Sequence, residues 1–167
     1  MEIGSFEGQS SVFFSEQLLD NEKSFLICVD PFFKSGTVDG ITTLYVDDNV
    51  KNRFYNNISK CRNFSKITHH HNTSDNFFLT NKITFNFIYI DGCHNPEYVK
   101  RYINNSFKFL EKNGILWIDD YLYGDRKEHK GRPKDVIDEF LIEYKGQYEI
   151  IHKGYQIAIK KKIINIF

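Results

Sequence analysis

The chain has 167 residues, 41% hydrophobic and 26% charged, with 22 basic and 22 acidic side chains. That length suits one domain spanning 1–167 with a real core, and a net charge of zero argues against nucleic-acid binding through bulk charge or a basic face held on anionic lipid. Aromatics at 16%, with 3 Pro and 10 Gly, exclude disorder and collagen-like sequence, and the apolar runs are far shorter than the roughly 18 residues a membrane span needs.

Three cysteines, Cys28, Cys61 and Cys93, are too few and too widely spaced for a disulfide framework or a zinc site. Glu2 and Gly4 follow the start at once, which is not how a signal peptide opens. The expectation is a single-domain, cytoplasmic protein.

The first chemical feature is Glu2-Ile3-Gly4-Ser5-Phe6-Glu7-Gly8-Gln9-Ser10, a glycine-bearing turn between a strand end and a helix start. Such glycines let backbone approach a ligand, and the helix N-terminus offers free amides to an anionic group. The pattern predicts a helix over Gln9 to Asp20, with Val12, Phe13, Leu18 and Leu19 on its broad apolar face. Phe25 to Val29 reads as a strand ending at Asp30-Pro31. Asp30 stands 22 residues after Gly8, where an acid accepts ribose hydroxyls in Rossmann-like folds; the plainer reading is a capping aspartate before Pro31.

Asp47 to Cys61 predicts a polar helix with Phe54, Tyr55 and Ile58 at helical spacing. Lys66 to His69 predicts a short strand, and His69-His70-His71 a loop after it, since consecutive histidines make a poor chelate. Ser74-Asp75 either caps a short helix or faces a base ring.

Phe85 to Ile90 is a second apolar run, ending at Asp91-Gly92-Cys93-His94. Asn95-Pro96-Glu97 starts a helix with a capping side chain, a proline and an acid in the first turn; it is expected to reach Lys112, with Asn113-Gly114 as its stop. Ile115 to Ile118 is a third run, ending at Asp119-Asp120. Unbroken apolar runs indicate strands covered on both faces, and three of them end in carboxylates, at the sheet edge where ligands bind.

Clustered carboxylates repel, so Asp91, Asp119 and Asp120 together suggest a bound cation, with oxygen ligands favouring Mg²⁺, Mn²⁺ or Ca²⁺. His94 is then a general base beside it. The alternative is structural, with Asp91 capping a loop and His94 packing under the next helix. Gly124 to Arg132, with Asp125, Arg126, His129 and Lys130, is expected to form a loop over the site. Phe32, Phe33, Tyr121 and Tyr123 either stack on a ring or pack. Pro133 opens a last helix, buried along Val136, Ile137, Phe140, Leu141 and Tyr144. Tyr148 to His152 and Tyr155 to Lys160 form a hairpin through Lys153-Gly154. The pattern is α/β, a mostly parallel sheet with antiparallel pairing at one edge.

Taken together, the Glu2–Ser10 turn, Val29-Asp30, Ser74-Asp75, Tyr89 to His94, Asn113 to Tyr121 and the terminal hairpin resemble a class I methyltransferase that uses S-adenosylmethionine. The likeness is strongest to small-molecule O-methyltransferases of the catechol and macrocin type. The resemblance implies a Rossmann-like sheet of seven strands in the order 3-2-1-4-5-7-6, with strand 7 antiparallel. It places Glu2, Gly4 and Gly8 along the methionine end of the cofactor and Ser10 on its carboxylate. Asp30 would hold the ribose, and Ser74 with Asp75 would approach the adenine.

It also implies a divalent metal, usually Mg²⁺, on Asp91, Asp119 and Asp120, and His94 where the family puts its base. The metal would lower the pKa of a small-molecule hydroxyl, which then attacks the sulfonium methyl.

In the family a longer first strand and further helices precede the Glu-x-Gly motif. The expectation is therefore an N-terminally truncated sheet, open to pairing with another copy of the chain. Two other readings stay open: a catalytically inactive remnant that binds cofactor or partners, and a nicotinamide enzyme. The second is disfavoured by Gly-x-x-x-Gly in place of Gly-x-Gly-x-x-Gly. No nucleic acid or membrane partner is expected.

Overall fold

A computed structural model describes residues 1–32, 49–124 and 132–163, and the backbone alone at 37–38 and 41–42. Phe33, the expected helix start at Asp47, and Asp125, Arg126, His129 and Lys130 of the expected loop lie outside the described residues. The chain falls into two compact units, one of Glu2–Thr73 and the other of Met1 with Ser74–Phe167.

In the first unit the elements run β1 (Glu2–Ile3), α1 (Gln9–Leu18), β2 (Leu26–Val29), β3 (Thr37–Val38), β4 (Ile41–Thr42), α2 (Val50–Ile58) and β5 (Ile67–His70). β5, β2 and β1 lie side by side, all parallel, with Glu2 opposite Cys28 and Val29 opposite His70. All four residues of β2 are buried, as an unbroken apolar strand requires. β3 and β4 pair antiparallel as a separate ribbon, which the sequence reading did not anticipate.

α1 departs from expectation in its buried face. Ser11, Phe14 and Ser15 face inward, whereas Phe13 and Leu18 are exposed. Ser11 turns inward because its hydroxyl bonds the buried Glu2 carboxylate, and a hydroxyl with a buried partner is stabilised there. α2 starts at Val50 and buries Phe54 and Ile58 completely or nearly so, with Tyr55 at its margin. β5 takes in His69, where the expected strand ended, and also His70, which was expected in the loop after it.

The second unit runs α3 (Ser74–Thr80), β6 (Phe85–Ile90), α4 (Pro96–Phe109), β7 (Leu110–Ile118), α5 (Pro133–Glu143), β8 (Tyr148–Lys153) and β9 (Ile157–Lys161). The strand order is β6-β7-β9-β8, parallel between the first two and antiparallel thereafter. Met1 joins this unit through its ammonium, which donates to the Phe87 carbonyl at 2.8 Å, and its own carbonyl accepts from Tyr89 N–H at 3.0 Å. Together the two units supply the strand neighbours 3-2-1 and 4-5-7-6, so the chain has the Rossmann-like α/β methyltransferase fold with antiparallel C-terminal strands.

α4 opens as expected: the Asn95 side chain accepts from Glu97 N–H at 2.9 Å, with Pro96 in the first turn. Its end differs. The helix stops at Phe109, and Leu110 already begins β7. Asn113-Gly114 are therefore inside a strand, where Asn113 takes φ 63 and the pairing with β6 shifts register between Phe85 and Phe87. An asparagine tolerates that left-handed backbone, so the signal expected to stop a helix forms a bulge instead. α5 starts at Pro133 and buries Ile137, Phe140 and Leu141. Among the described residues no helix is long and apolar enough to cross a membrane.

Candidate active site

The glycine turn is built by strand β1 handing over to α1. Gly4, Phe6 and Gly8 all have positive φ, at 83, 46 and 85°. A Cβ on Gly8 would meet Phe54 Cδ2 at 3.0 Å, so that position needs glycine for space as well as for backbone. Gly8 caps α1 without any side-chain hydrogen bond, which leaves the amides of the first turn, where Ser10 sits, to other partners.

Glu2 is fully buried. Ser5 Oγ donates to its Oε2 at 2.8 Å, Ser11 Oγ donates to the same oxygen, and Oε1 has no partner. The carboxylate and the burial together push the neighbouring Cys28 thiol well up, with desolvation the larger cause.

Asp30 follows β2 and is only 2% exposed. Its Oδ2 accepts from Ser5 and Phe6 N–H at 2.8 and 3.0 Å, and its Oδ1 from Phe32 N–H at 2.7 Å. It therefore clamps the glycine turn to the end of β2. Beside it Phe32, Phe54, Tyr55 and His69 pack ring on ring, with His69 4.9 Å from Phe32 and 5.0 Å from Phe54. Burial lowers the His69 pKa from its ordinary value. This cluster was missed because only the return of β5 beside β2 brings His69 to Asp30, whose carbonyl lies 3.2 Å from its Nε2.

The second unit carries the acids. Ser74 is the first residue of α3, with a buried and unpartnered hydroxyl. Asp75 accepts from Arg101 Nε at 3.0 Å and from Asn105 Nδ2 at 3.4 Å, so its carboxylate is held by α4. Asp91 leaves the end of β6, and Asp119 and Asp120 the end of β7. A small pocket there is lined by Asp91, His94, Asp119, Asp120, Val99 and Pro133, among others.

Within it, donor atoms of Asp91, His94 and Asp120 lie within 4.8 Å of one another, and His94 Nε2 is 2.7 Å from Asp120 Oδ2. The Asp120 carboxylate raises the His94 pKa above the usual histidine value, against the effect of burial, and His94 holds Asp120 below the usual carboxylate range.

Asp119 is turned elsewhere. Its Oδ1 accepts from Asp120 N–H and Gln156 Nε2, each at 2.8 Å, and its Oδ2 accepts from Tyr89 OH at 2.5 Å. Tyr155 OH donates to Asp120 Oδ1 at 2.7 Å and is itself pushed up to about 12, mainly by that carboxylate. Tyr123 lies over His94 at 4.2 Å between ring centres. Tyr89 has a sequence signal, standing two residues before Asp91 on the same strand side. Tyr155 and Gln156 have none, since the hairpin alone brings them to β7. Two carboxylates and an imidazole at this spacing suit one divalent cation.

No curated protein sequence matches the chain. Its fold is that of several solved structures. An O-methyltransferase from Bacillus cereus, in complex with S-adenosylhomocysteine, has a TM-score of 0.68 at 13% identity, over 96% of this chain and 72% of that one. The O-methyltransferase TomG from Streptomyces achromogenes, involved in tomaymycin synthesis and in complex with S-adenosylmethionine, also scores 0.68, at 11% identity over 96% and 71%. A candidate rRNA methylase from Clostridium thermocellum scores 0.68 at 11% identity, over 98% and 86%. A family described as "Methyltransferase domain" matches residues 1–121, across the glycine turn, Asp30, Asp91 and the Asp119-Asp120 pair, and the chain belongs to that methyltransferase family.

Proposed function

We propose that the chain transfers the methyl group of S-adenosylmethionine to a hydroxyl of a small molecule. The observation that carries this reading is the gathering of Asp91, His94 and Asp120 at the ends of β6 and β7 in a methyltransferase-family chain. A hydroxyl must lose its proton to become a nucleophile, and an imidazole paired with a carboxylate is suited to take it. In the metal-free chain His94 has that role, with Asp120 orienting its ring. Asp91 and Asp120 would also hold a divalent cation, which supplies charge stabilisation to a hydroxyl oxygen when bound.

The cofactor-binding residues in this reading are Glu2, Gly4, Gly8 and Ser10 of the turn, with Asp30, Ser74, Asp75 and Asp91. Support comes from the uncapped first turn of α1, whose amides suit a carboxylate, and from the two O-methyltransferases of the same fold that bind this cofactor or its product. A nucleic-acid acceptor is disfavoured by the balanced charge, and the reading takes the chain as one cytoplasmic domain, able to pair with a second copy.

A second reading rests on Asp30. With both oxygens engaged by backbone amides and almost no exposure, it favours a domain that keeps the fold without turnover. Calorimetric titration with S-adenosylhomocysteine, followed by mass-spectrometric assay of methyl transfer to catechols, phenols and sugars with and without Mg²⁺, separates them. Micromolar binding and a methylated product establish the first reading. A folded chain that binds no cofactor establishes the second.

A further inference from the structure

Asp119 accepts hydrogen bonds from the Asp120 amide and Gln156 on one oxygen and from Tyr89 on the other. The same Tyr89 hydroxyl reaches Asp91 Oδ2 at 3.4 Å, so a phenol stands between Asp91 and Asp119. Asp119 lines the pocket, yet the atoms that close to within 4.8 Å of one another belong to Asp91, His94 and Asp120. Asp120 has Oδ1 occupied by Tyr155 and turns Oδ2 to His94. The resemblance implies three carboxylates; the geometry supplies two and a nitrogen.

We infer that this chain holds its divalent cation through Asp91, His94 and Asp120, with Asp119 a positioning residue outside the ligand set. The nitrogen changes which ion the site prefers. Mg²⁺ is a hard ion that takes oxygen and keeps its water, whereas an imidazole suits Fe²⁺, Ni²⁺ or Zn²⁺; Mn²⁺, itself an oxygen-preferring ion but one that accepts a nitrogen ligand more readily than Mg²⁺ does, is the paramagnetic probe for that nitrogen. Tyr155 and the Asp119-bound backbone of Asp120 orient the ligating carboxylate from outside, as outer partners do at metal sites. This rests on the methyl-transfer reading for the expectation that a cation belongs there, and it revises the part of His94: a nitrogen bound to a cation is no longer free to accept the hydroxyl proton.

The test loads the full chain with Mn²⁺ and records electron spin-echo envelope modulation, which detects nitrogen bound to the ion. The expected result is a nitrogen coupling that persists in Asp119→Asn and disappears in His94→Gln, where Mn²⁺ binding weakens by about tenfold or more. An equal concentration of Mg²⁺ should leave the Mn²⁺ in place. Mn²⁺ bound without nitrogen coupling overturns the inference, as does a coupling that survives His94→Gln, displacement by equimolar Mg²⁺, or a folded chain that takes up no Mn²⁺. Circular dichroism checks each variant, and His94→Asn replaces a glutamine variant that fails to fold. S-adenosylhomocysteine binding on the same samples keeps the two conclusions apart. Cofactor binding without nitrogen-ligated Mn²⁺ removes this inference alone, and nitrogen-ligated Mn²⁺ without cofactor binding removes the methyl-transfer reading alone.

Discussion

Tyr89 OH donates to Asp119 Oδ2 at 2.5 Å, and that bond decides which carboxylates remain to face His94. Asp119 and Asp120 are adjacent in sequence but serve different partners, because Asp120 takes a left-handed backbone, φ 54, that turns its side chain toward the imidazole. Replacing Tyr89 with phenylalanine should leave Asp119 half-buried with one donor fewer. The expected cost is about 1–2 kcal/mol, or a fall in Tm of roughly 2–8 °C for a chain of this size, read by thermal denaturation. An unchanged Tm would mean that water replaces the phenol without loss.

Gly8 combines φ 85 with a neighbour 3.0 Å from any added Cβ. Gly8→Ala should therefore cost about 1–3 kcal/mol in urea unfolding. Much of the effect should come from displacing Phe54, which is fully buried. A double variant with Phe54→Leu should recover part of the loss; no recovery would place the whole cost in the backbone.

Asp30 braces the glycine turn through three amides. Asp30→Ala leaves those N–H groups without their charged acceptor, and a loss of about 2–4 kcal/mol is expected, together with loss of S-adenosylhomocysteine binding by calorimetry. The two should fall together if Asp30 acts by holding the turn. Affinity lost at unchanged stability would instead assign the carboxylate a direct contact with the ligand.

The histidines give a pH prediction of opposite signs. In the metal-free chain His94 titrates above the usual histidine value because Asp120 bonds its charged form, and His69 titrates below it because burial penalises that form. The stability due to His94 is present below its unfolded pKa, about 6.5, and fades as pH rises through the raised folded value. That due to His69 is present above about 6.5 and fades as pH falls through its lowered one. Proton NMR titration of the two imidazoles, assigned through His94→Gln and His69→Gln, should show the midpoints on opposite sides of the free value. Coincident midpoints would remove both assignments.

Much of this molecule was legible in the order of its residues. Apolar runs ending in Asp30, Asp91 and Asp119 became β2, β6 and β7, because a strand covered by helices needs no polar alternation. Asn95-Pro96-Glu97 started α4 by local chemistry alone, and the glycine turn lay where Gly4 and Gly8 required it. The failures at α1 and at the end of α4 have one cause, competition from partners distant in sequence. Ser11 displaced the apolar face of α1 because Glu2 lay beneath it. Asn113-Gly114 became a bulge because β6 was there to pair with. Residue type determined that acids and a histidine would stand at the strand ends; which of them face one another depended on Tyr89, Tyr155 and Gln156. Hydrogen bonds reach only about 3 Å, and those three side chains come within that reach only after the sheet and its terminal hairpin have formed.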